Sequence, residues 1–329
     1  MTNIEILDVL AEHNCMNDVI MNNMLRANSI INNPLYKTIL CSVSGGADSD
    51  VMVDICHRLD KDNKIVYVWF DTGLEYEATK RHLSYLENRY HINIVREKAI
   101  KSIPYTCYHI GQPFISKRVS DMIERLQSHD FKWEDKPFEE LYREYPKCRA
   151  ALRWWCNAWD NPGSKFGIRE NKLLKEFMVS NPPTFRISLK CCKYAKKDVA
   201  KAAIKKYKAD LNIFGVRKSE GGARQEAYKS CYITNKDTHI YLPIYWYTNE
   251  VKELYNKSFN IINSDCYNEY GLKRTGCCGC PYNRNFDEEL LILAHYEPKL
   301  YTAVNHVFAE SYDYTRKYRD FIQKSKKEL

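Results

Sequence analysis

The sequence has no run of apolar residues that approaches the ~18 needed for a helix to cross a membrane. Its first residues, MTNIEILDVLAEHN, are acidic and polar, whereas a secretory signal would start with basic residues and continue with apolar ones. No internal repeat and no low-complexity tract is evident. We therefore expect a globular cytoplasmic protein that has no membrane partner.

Two common phosphate-binding motifs are also missing. A Walker loop requires Gly-Lys-Ser or Gly-Lys-Thr, and neither occurs in the chain. The pair Gly45-Gly46 follows an apolar run, but Ser49 stands where a dinucleotide-binding fingerprint has its third glycine. These absences argue against a Walker-type NTPase and against a dinucleotide fingerprint at this turn.

Size and charge leave the protein in the ordinary globular class. The 329 residues exceed the usual size of one domain, and 44% of them are hydrophobic and 28% charged. The formal net charge is +8, and basic residues are concentrated in residues 190–208 and in the C-terminal tail. Such runs are usually solvated helix faces, although a basic surface would also suit a nucleotide or a nucleic acid.

Apolar runs separated by helix-length segments indicate a parallel sheet with helices on both faces. The pattern predicts strands at 38–43, 64–70, 92–96 and 210–215, and helices at 48–60, 76–90 and 113–128. The predicted domains are an N-terminal helical segment at 1–36, an α/β domain at 37–239 with an insertion near 131–185, and a small cysteine-rich C-terminal region at 240–329. The expected fold class is therefore α/β, a doubly wound parallel sheet.

The stretch CSVSGGADSD joins the first predicted strand to the next helix. In a parallel sheet, such a turn binds anions because backbone N–H groups and the positive end of the helix dipole face it. Gly45 and Gly46 let the backbone approach the anion, and Ser44 and Ser49 add hydroxyl groups. Asp48 would not help a bare anion, so we interpret it as a helix cap or as a partner of Mg²⁺.

These residues resemble the Ser-Gly-Gly-x-Asp-Ser pyrophosphate loop of the ATP pyrophosphatase superfamily. A second stretch, DTGLEYEAT, follows the second predicted strand and resembles the Asp-Thr-Gly stretch of the phosphoadenosine phosphosulfate reductase branch. The resemblance implies an adenine nucleotide alpha hydrolase-like sheet that binds ATP with Mg²⁺. The nucleotide-binding residues that it implies are Ser44, Gly45, Gly46, Asp48, Ser49, Asp71, Thr72 and Gly73.

The stretch FGVRKSEGGARQ is similar to a segment of the same branch in which arginines contact the phosphate or sulfate of the nucleotide. Arg217 occupies the first arginine position, and Arg224 is displaced by two residues from the second. A guanidinium suits bidentate phosphate contact, so Arg217 is predicted to bind the nucleotide. For Arg224 two interpretations stay open: it contacts the nucleotide, or it is a surface side chain. The predicted catalytic residues are Asp48, Asp71 and Arg217.

Thirteen cysteines are many for a cytosolic chain, and their clustering indicates a metal site rather than disulfides. The vicinal pair Cys191-Cys192 suits a cuboidal cluster, in which each sulfur binds a different iron, better than one tetrahedral zinc ion. Together with the C-x-x-C pair Cys277 and Cys280, it resembles the 4Fe–4S ligand set of adenylyl-sulfate reductases. The resemblance implies these four residues as ligands; Cys278 could replace either neighbour, and zinc is the alternative metal.

The other cysteines are expected to be buried small apolar residues, namely Cys15, Cys41, Cys56, Cys107, Cys148, Cys156, Cys231 and Cys266. No cysteine follows Cys280, whereas sulfonucleotide reductases attack sulfate with a cysteine in a mobile C-terminal tail. The missing nucleophile argues against ordinary sulfate reduction.

The predicted function is therefore an iron–sulfur ATP pyrophosphatase that adenylates an acceptor, for sulfur transfer or nucleic-acid modification. Two alternatives stay open: a sulfonucleotide reductase that uses a partner's thiol, and a non-catalytic nucleotide-sensing or defence component. The expected partners are ATP, a tRNA or DNA substrate, and a sulfur donor or thiol-reductant protein. The oligomeric state also stays open, with a homodimer as one possibility.

Overall fold

The computed structural model describes residues 1–161, 163–221 and 227–327. Within these ranges one sheet contains β1 (Ile39–Ser42), β2 (Ile65–Asp71), β3 (Ile94–Lys98), β4 (Leu211–Phe214), β5 (Tyr232–Ile233) and β6 (His239–Tyr241). The strand order is β3-β2-β1-β4-β6-β5, and all pairs are parallel except β5 with β6. The predicted α/β class and parallel sheet are confirmed. The short strands β5 and β6 were not predicted.

The helices lie mainly between the strands and after them. They are α1 (Asn3–Glu12), α2 (Asp18–Ile31), α3 (Ala47–Leu59), α4 (Glu77–Tyr90), α5 (Ile103–His109), α6 (Lys117–Gln127), α7 (Phe138–Glu144), α8 (Arg149–Trp155), α9 (Leu174–Ser180), α10 (Lys190–Cys192), α11 (Asp198–Tyr207), α12 (Asn249–Ser258), α13 (Asp265–Asn268), α14 (Phe286–Tyr296), α15 (Pro298–Val307) and α16 (Ala309–Lys327). A π-helical turn, Lys193–Lys197, joins α10 to α11. The predicted helices at 48–60, 76–90 and 113–128 are observed as α3, α4 and α6.

The predicted N-terminal helical segment is present but consists of two helices rather than one. Asn14 has a φ of 51°, a left-handed conformation that a continuing helix cannot contain. Asn17 then caps α2, because its Oδ1 accepts hydrogen bonds from the backbone N–H of Val19 at 3.0 Å and of Ile20 at 3.3 Å. The break therefore has a local cause in the two asparagines. Ile6 of α1 is fully buried.

β1 is the strand at which the order of strand addition in the sheet reverses. Ile39 pairs with Ile65 of β2 on one side and with Leu211 of β4 on the other. The chain runs outward from β1 through β2 to β3 and then returns to β4 beside β1. Ligands of open α/β sheets bind outside the carboxyl ends of the strands at such a point. The glycine turn after β1 and the segment after β4 both begin there.

Residues 1–100 and 195–276 form one compact unit around the sheet. β1 is buried on both faces, as Ile39, Leu40 and Cys41 are all fully inaccessible. The helix that follows the turn packs on the same core through Val51 and Ile55. Burial of one such aliphatic side chain stabilises the fold by roughly 1.5–3 kcal/mol, so the strand and helix that flank the turn are firmly anchored.

Residues 101–194 and 277–329 form a second compact unit with an aromatic core. Trp154 and Trp155 of α8 are buried there, together with Phe177 of α9. Tyr314 of α16 packs against Phe177, with ring centroids 4.9 Å apart, and its hydroxyl donates to the carbonyl oxygen of Asn181 at 2.7 Å. The domain boundaries predicted from the sequence, after residues 36 and 239, stay predictions.

Candidate functional site

The glycine turn has the strand–turn–helix geometry predicted for it. It leaves β1 after Ser42 and enters α3 at Ala47, with Gly46 as the N-cap residue. Gly46 has no side chain to cap the helix, so the positive end of the helix dipole is not shielded by a capping group at this position. Gly45 has a φ of 67°, the left-handed conformation that favours glycine.

Close contacts of the backbone explain why glycine is needed in the turn. A Cβ on Gly45 would lie 2.9 Å from Thr79 Cγ2, and a Cβ on Gly46 would lie 3.1 Å from the hydroxyl oxygens of Thr275 and Tyr267. Both distances are shorter than ordinary van der Waals contact. The main chain of the turn is therefore packed against side chains of α4 and of the segment around α13.

The two serines predicted to bind phosphate also hold the turn in shape. The backbone N–H of Ser44 donates to Ser49 Oγ at 3.0 Å, and that of Gly46 donates to Ser44 Oγ at 3.3 Å. Ser49 is buried and Ser44 is exposed. Ser44 is thus the serine that solvent, or a ligand arriving from solvent, can reach directly.

Asp48 lies in the first turn of α3 and forms ion pairs with two cations. Its carboxylate oxygens accept from Arg217 Nε at 2.9 Å and from Lys252 Nζ at 3.0 Å. Burial disfavours the charged form, but a hydrogen bond with Glu220 and the charges of Lys252 and Arg217 outweigh burial and lower the pKa of Asp48. Asp48 does not cap the helix, because Gly46 occupies the N-cap position, so that alternative was wrong.

Arg217 reaches the turn from the loop after β4. It is 7% exposed, and its Nη1 donates to Ser219 Oγ and to Asn249 Oδ1, both at 3.0 Å. Gly215 allows this close approach of the loop, since a Cβ there would lie 3.2 Å from the carbonyl oxygen of Asp48. Of the predicted arginines, Arg217 is therefore at the turn, whereas Arg224 lies outside the described residues.

Helix α12 contributes two side chains that the sequence did not identify. Asn249 and Lys252 are three residues apart and so share one face of the helix. Asn249 holds the Arg217 guanidinium, and Lys252 holds the Asp48 carboxylate. Both residues lie in the stretch YWYTNEVK, which belongs to none of the motifs described above.

The predicted residues after β2 form a compact turn. Asp71 Oδ1 accepts from the backbone N–H of Gly73 at 2.9 Å, and Gly73 has a φ of 80°. Thr72 is buried, and its hydroxyl donates to Glu75 Oε1 at 2.5 Å. The structure thus places Asp71, Thr72 and Gly73 together at the carboxyl end of β2, next to β1 in the sheet.

Glu75 is a further carboxyl group at this edge that the sequence did not identify. It is 9% exposed. Burial raises its pKa to about 7, although the positive charge of Lys196 and the hydrogen bond from Thr72 oppose the shift. A carboxyl group with a pKa near neutrality can both accept and release a proton at physiological pH.

A buried polar pair lies behind the turn and connects α3 to α4. Asp50 is fully buried, and its Oδ1 lies 3.0 Å from His82 Nε2. Burial raises the pKa of Asp50, while His82 partly opposes the shift. The His82 ring stacks on Tyr85 at a centroid distance of 5.5 Å. Because Asp50 faces the core, we interpret the pair as a support of the helix rather than as a ligand contact.

The predicted sulfur ligands lie in the second unit. Cys191 and Cys192 belong to the short helix α10, and Cys191 is 4% exposed. Hydrogen bonding with Cys107 is the largest cause that raises the pKa of Cys191 well above its usual value. The structure thus places Cys191 and Cys192 next to each other in one short helix.

Cys277 and Cys280 share one tight turn before α14. The backbone N–H of Cys280 donates to the carbonyl oxygen of Cys277 at 3.3 Å, and Gly279 between them has a φ of 60°. The Gly279 N–H donates to Glu289 Oε1 at 2.9 Å, and its carbonyl oxygen accepts from the Tyr312 hydroxyl. The turn is thus fixed by hydrogen bonds to the helices that follow it.

Thiols are the side chains that an iron–sulfur cluster takes as ligands, and all four predicted ligands are thiols. Among the described residues, however, no three His, Cys, Asp or Glu side chains stand in metal-binding geometry. The four-cysteine ligand set stays a prediction.

In the part of the chain that the structure describes, no helix has the length and apolarity to cross a bilayer.

Residues 38–114, from just before β1 to just after α5, match the family model of the phosphoadenosine phosphosulfate reductase domain. The likeness predicted from the sequence is thus confirmed over this segment. All four predicted ligands of the cluster lie outside it. No curated protein matches the chain at a significant level.

Three solved structures are similar in fold, at low identity. The phosphoadenylyl-sulfate reductase of Candida auris is 12% identical, with a TM-score of 0.42 and coverage of 82% of this chain and 93% of that one. The NH3-dependent NAD synthetase of Campylobacter jejuni subsp. jejuni is 11% identical (TM-score 0.37, coverage 90% and 94%). The U34-tRNA thiolase NcsA of Methanococcus maripaludis with its 4Fe–4S cluster is also 11% identical (TM-score 0.40, coverage 92% and 79%). Likenesses this distant carry no argument about the chemistry of this chain.

Proposed function

We propose that this chain, with its reductase-like segment around the glycine turn, is an iron–sulfur ATP pyrophosphatase that adenylates an acceptor. One observation carries the proposal: at the switch point of the sheet, Arg217 and Lys252 converge on Asp48 in the helix turn that follows the glycines. Two cations, one carboxylate and a helix N-terminus are the groups that a Mg²⁺-bound polyphosphate requires.

The turn would bind the pyrophosphate end of ATP. The backbone of Gly45 and Gly46 can approach the phosphates closely, and the exposed Ser44 hydroxyl can donate to them. Arg217 and Lys252 now pair with Asp48 and would pair with phosphate oxygens once the nucleotide is bound. Mg²⁺ that arrives with ATP would neutralise phosphate charge, with Asp48 and Asp71 as the carboxylates that would hold it.

The reaction that these groups support is displacement at the α-phosphorus. An acceptor oxygen attacks that phosphorus, the bond to the β-phosphate oxygen breaks, and pyrophosphate leaves with the bonding electron pair. Arg217, Lys252 and the turn amides would stabilise the negative charge that develops on pyrophosphate. One well-placed donor to such a charge is worth roughly 2.7–4 kcal/mol. The adenylated acceptor is then open to a sulfur nucleophile or to a reductant.

Glu75 is the group best suited to take the proton of the acceptor. It lies at the carboxyl end of β2 with a pKa of about 7, and its hydrogen bond to Thr72 orients the carboxyl group. A base is most effective when its pKa is near the working pH. We therefore assign proton transfer to Glu75, with Thr72 as a positioning residue.

Cys191, Cys192, Cys277 and Cys280 would hold the 4Fe–4S cluster, as the resemblance implies. When bound, such a cluster could hold a sulfur atom for transfer or relay electrons. The substrates proposed for the adenylation step are tRNA or DNA, with a sulfur-donor or thiol-reductant protein as partner. The basic residues of the chain suit a nucleic acid.

A second candidate is a sulfonucleotide reductase that uses the thiol of a partner protein. It is favoured by the match of residues 38–114 to the reductase domain. The two candidates differ in the nucleotide that they consume: the first converts ATP to AMP and pyrophosphate, and the second releases sulfite from a sulfonucleotide.

An assay of the anaerobically purified chain tests the proposal. The chain is incubated with ATP and Mg²⁺ together with tRNA, DNA or sulfate, and AMP and pyrophosphate are quantified. We expect equal amounts of both products with one nucleic-acid acceptor and none without an acceptor. Sulfite release from a sulfonucleotide in the presence of a dithiol protein would establish the reductase instead. ATP binding without turnover on every acceptor would identify a nucleotide sensor.

A further inference from the structure

Helix α5 in the second unit has an exposed aromatic face. Tyr105 and Tyr108 are 47% and 61% exposed, whereas Ile103 and Cys107 on the other side of the helix are buried. His109 lies one helical turn after Tyr105, and the centroids of the two rings are 4.4 Å apart. Burial of an aromatic side chain stabilises a fold, so packing of the core gives no reason for these rings at the surface.

Two lysines lie beside the tyrosine rings. Lys101 Nζ, just before α5, is 5.7 Å from the centroid of the Tyr105 ring and 5.0 Å from that of the Tyr194 ring. Lys193 Nζ is 5.6 Å from the Tyr194 centroid. We call Lys101, Tyr105, Tyr108, Lys193 and Tyr194 the tyrosine–lysine surface; all five residues belong to the second unit.

Backbone hydrogen bonds hold the two segments of this surface together. The N–H of Gln112, after α5, donates to the carbonyl oxygen of Arg186, before α10, at 2.9 Å. The N–H of Ser188 donates to the carbonyl oxygen of Gln112, also at 2.9 Å. Helices α5 and α10 also pack against each other. The rings and the lysines are therefore attached to paired backbone segments, not to a free loop.

The charge of the two segments has one sign. Residues 101–120 and 177–194 contain no aspartate or glutamate, although the whole chain has 42. Glu124 of α6 pairs with Lys190 at 2.6 Å, so Lys190 is neutralised. In the part of the chain that the structure describes, Lys101 and Lys193 have no such ion pair. An anionic partner is therefore the electrostatic complement of this surface.

We propose that the tyrosine–lysine surface binds single-stranded nucleic acid, with bases stacked on the tyrosine rings and phosphates paired with Lys101 and Lys193. Proteins hold single strands by this combination, because every base has a π-face and every nucleotide a phosphate. Bases of a duplex already stack on each other, so exposed rings favour a single strand. An acidic protein would pair with the lysines but would leave the exposed rings unexplained. The inference rests on the proposed function only for the choice of nucleic acid as acceptor.

Fluorescence anisotropy of the full chain, without ATP, tests the stacking. Fluorescein-labelled oligo(dT) and oligo(rU) of about 16 nucleotides are titrated with the wild type, Tyr108→Ala and Tyr108→Phe, and circular dichroism checks folding. We expect Tyr108→Ala to weaken binding about 5- to 100-fold, because one base loses its stacking partner. Tyr108→Phe keeps the ring and should bind like the wild type. A duplex of the same length should bind at least about tenfold more weakly than the single strands. The comparison of oligo(dT) with oligo(rU) assigns the surface to DNA or to RNA.

The salt dependence of binding tests the lysines separately. Lys193→Ala and the control Lys257→Ala remove the same charge, and Lys257 is an exposed residue of α12 in the first unit. A plot of log affinity against log salt concentration should be about 0.7 less steep for Lys193→Ala than for the wild type, because one phosphate contact is lost. Lys257→Ala should keep the wild-type slope. Equal slopes of all three chains would remove Lys193 from the surface.

The outcomes separate the inference from the proposed function. Equal affinities of the wild type and Tyr108→Ala, or binding of poly-glutamate as tight as that of the oligonucleotides, overturn the single-strand surface. Weakened binding by Tyr108→Ala, with no AMP formed on any nucleic acid, supports the surface and contradicts the proposed adenylation. Formation of AMP and pyrophosphate with a nucleic acid that Tyr108→Ala binds like the wild type overturns the surface alone.

Discussion

Asp48 illustrates how single residues prepare the proposed nucleotide site. Its carboxylate holds Arg217 and Lys252 in place, so the two cations are oriented before any ligand binds. Ion pairs of this kind, partly shielded from solvent, limit the side-chain freedom that binding would otherwise have to remove. A residue predicted as a ligand of Mg²⁺ is therefore also the residue that positions the two cations proposed to bind phosphate.

Loss of Lys252 tests this arrangement. Lys252→Ala removes one of the two cations, and a hydrogen bond to a charged group contributes about 1.5–3 kcal/mol. We expect the affinity for ATP with Mg²⁺ to fall about 10- to 100-fold in isothermal titration. The control is Lys257→Ala, an exposed lysine on the same helix, which should bind ATP like the wild type. Equal affinities of the two variants would remove Lys252 from the site.

Replacement of Gly45 tests whether packing adds to the free-energy cost of the left-handed backbone conformation. Gly45 and Gly271 have nearly the same φ, 67° and 69°, but a Cβ on Gly271 would meet nothing within 4 Å. Gly271→Ala should therefore cost only the left-handed conformation, roughly 1–2 kcal/mol. Gly45→Ala should cost more, because its Cβ also meets Thr79. Urea unfolding measures both free energies, and a smaller loss for Gly45→Ala would contradict the packing seen at the turn.

Glu75 should make stability depend on pH. Its pKa is about 7 in the folded chain and near 4.5 in the unfolded one, so the folded state binds the proton more tightly. The resulting stabilisation, about 3 kcal/mol, is fully present below about pH 4.5 and is lost as the pH rises through about 7. Glu75→Gln keeps an acceptor for the Thr72 hydroxyl but does not titrate.

Urea unfolding at about pH 5 and about pH 8 checks this expectation. The free energy of unfolding should fall between the two pH values by about 2.5 kcal/mol more in the wild type than in Glu75→Gln. Glu77→Gln, which replaces an exposed carboxyl group of the same segment, should behave like the wild type. The same pH dependence in wild type and Glu75→Gln would show that the pKa of Glu75 is not raised.

At the scale of elements, the two chemical regions are built in different ways. The glycine turn is one continuous strand–turn–helix unit, so its geometry follows from neighbours in the chain. The predicted cluster ligands, in contrast, come from α10 and from the turn before α14, which are far apart in the sequence. Such a site forms only if distant elements pack correctly, and a bound cluster would in turn stabilise that packing.

The metal content of the chain tests the identity of the cofactor. We expect anaerobically purified protein to be brown and to contain iron and sulfide, because vicinal thiols suit a cuboidal cluster better than a tetrahedral ion. The visible absorption should bleach in air. Elemental analysis that finds stoichiometric zinc in a colourless protein would establish the alternative metal.

At the scale of the whole molecule, the chain combines a mostly parallel α/β sheet with a sequence that has no cysteine after Cys280. A reductase intermediate needs an exposed thiolate that can attack sulfate. Cys107 and Cys278 are buried, at 4% and 0% exposure, so neither is accessible to a substrate in this structure. We therefore expect a reductase reaction of this chain to need a thiol from another protein.

Incubation with sulfonucleotides checks this consequence. The isolated chain should release no sulfite from adenylyl sulfate or its 3′-phosphorylated form, and intact mass spectrometry should detect no sulfite adduct. A mass increase of one sulfite on any cysteine, mapped by peptide analysis, would show that the chain has its own nucleophile. The preferred function would then be replaced by reduction.

The sequence by itself determined the features that depend on neighbouring residues. The apolar runs predicted β1, β2, β3 and β4, because a buried parallel strand needs side chains that are apolar on both faces. The glycine turn could also be predicted, because a positive φ at Gly45 and the start of α3 depend on only a few consecutive residues. The break between α1 and α2 also has a local cause in two asparagines, but it was not predicted.

The tertiary structure alone decided which distant residues meet. Lys252 reaches Asp48 across 204 residues of sequence, and this contact follows from the strand order and from the packing of α12, neither of which the sequence pattern specifies. Glu75 has an unusual pKa only because folding buries it. Hydrophobic and conformational patterns are properties of short stretches of the sequence, whereas electrostatic partners are set by the path of the backbone in space.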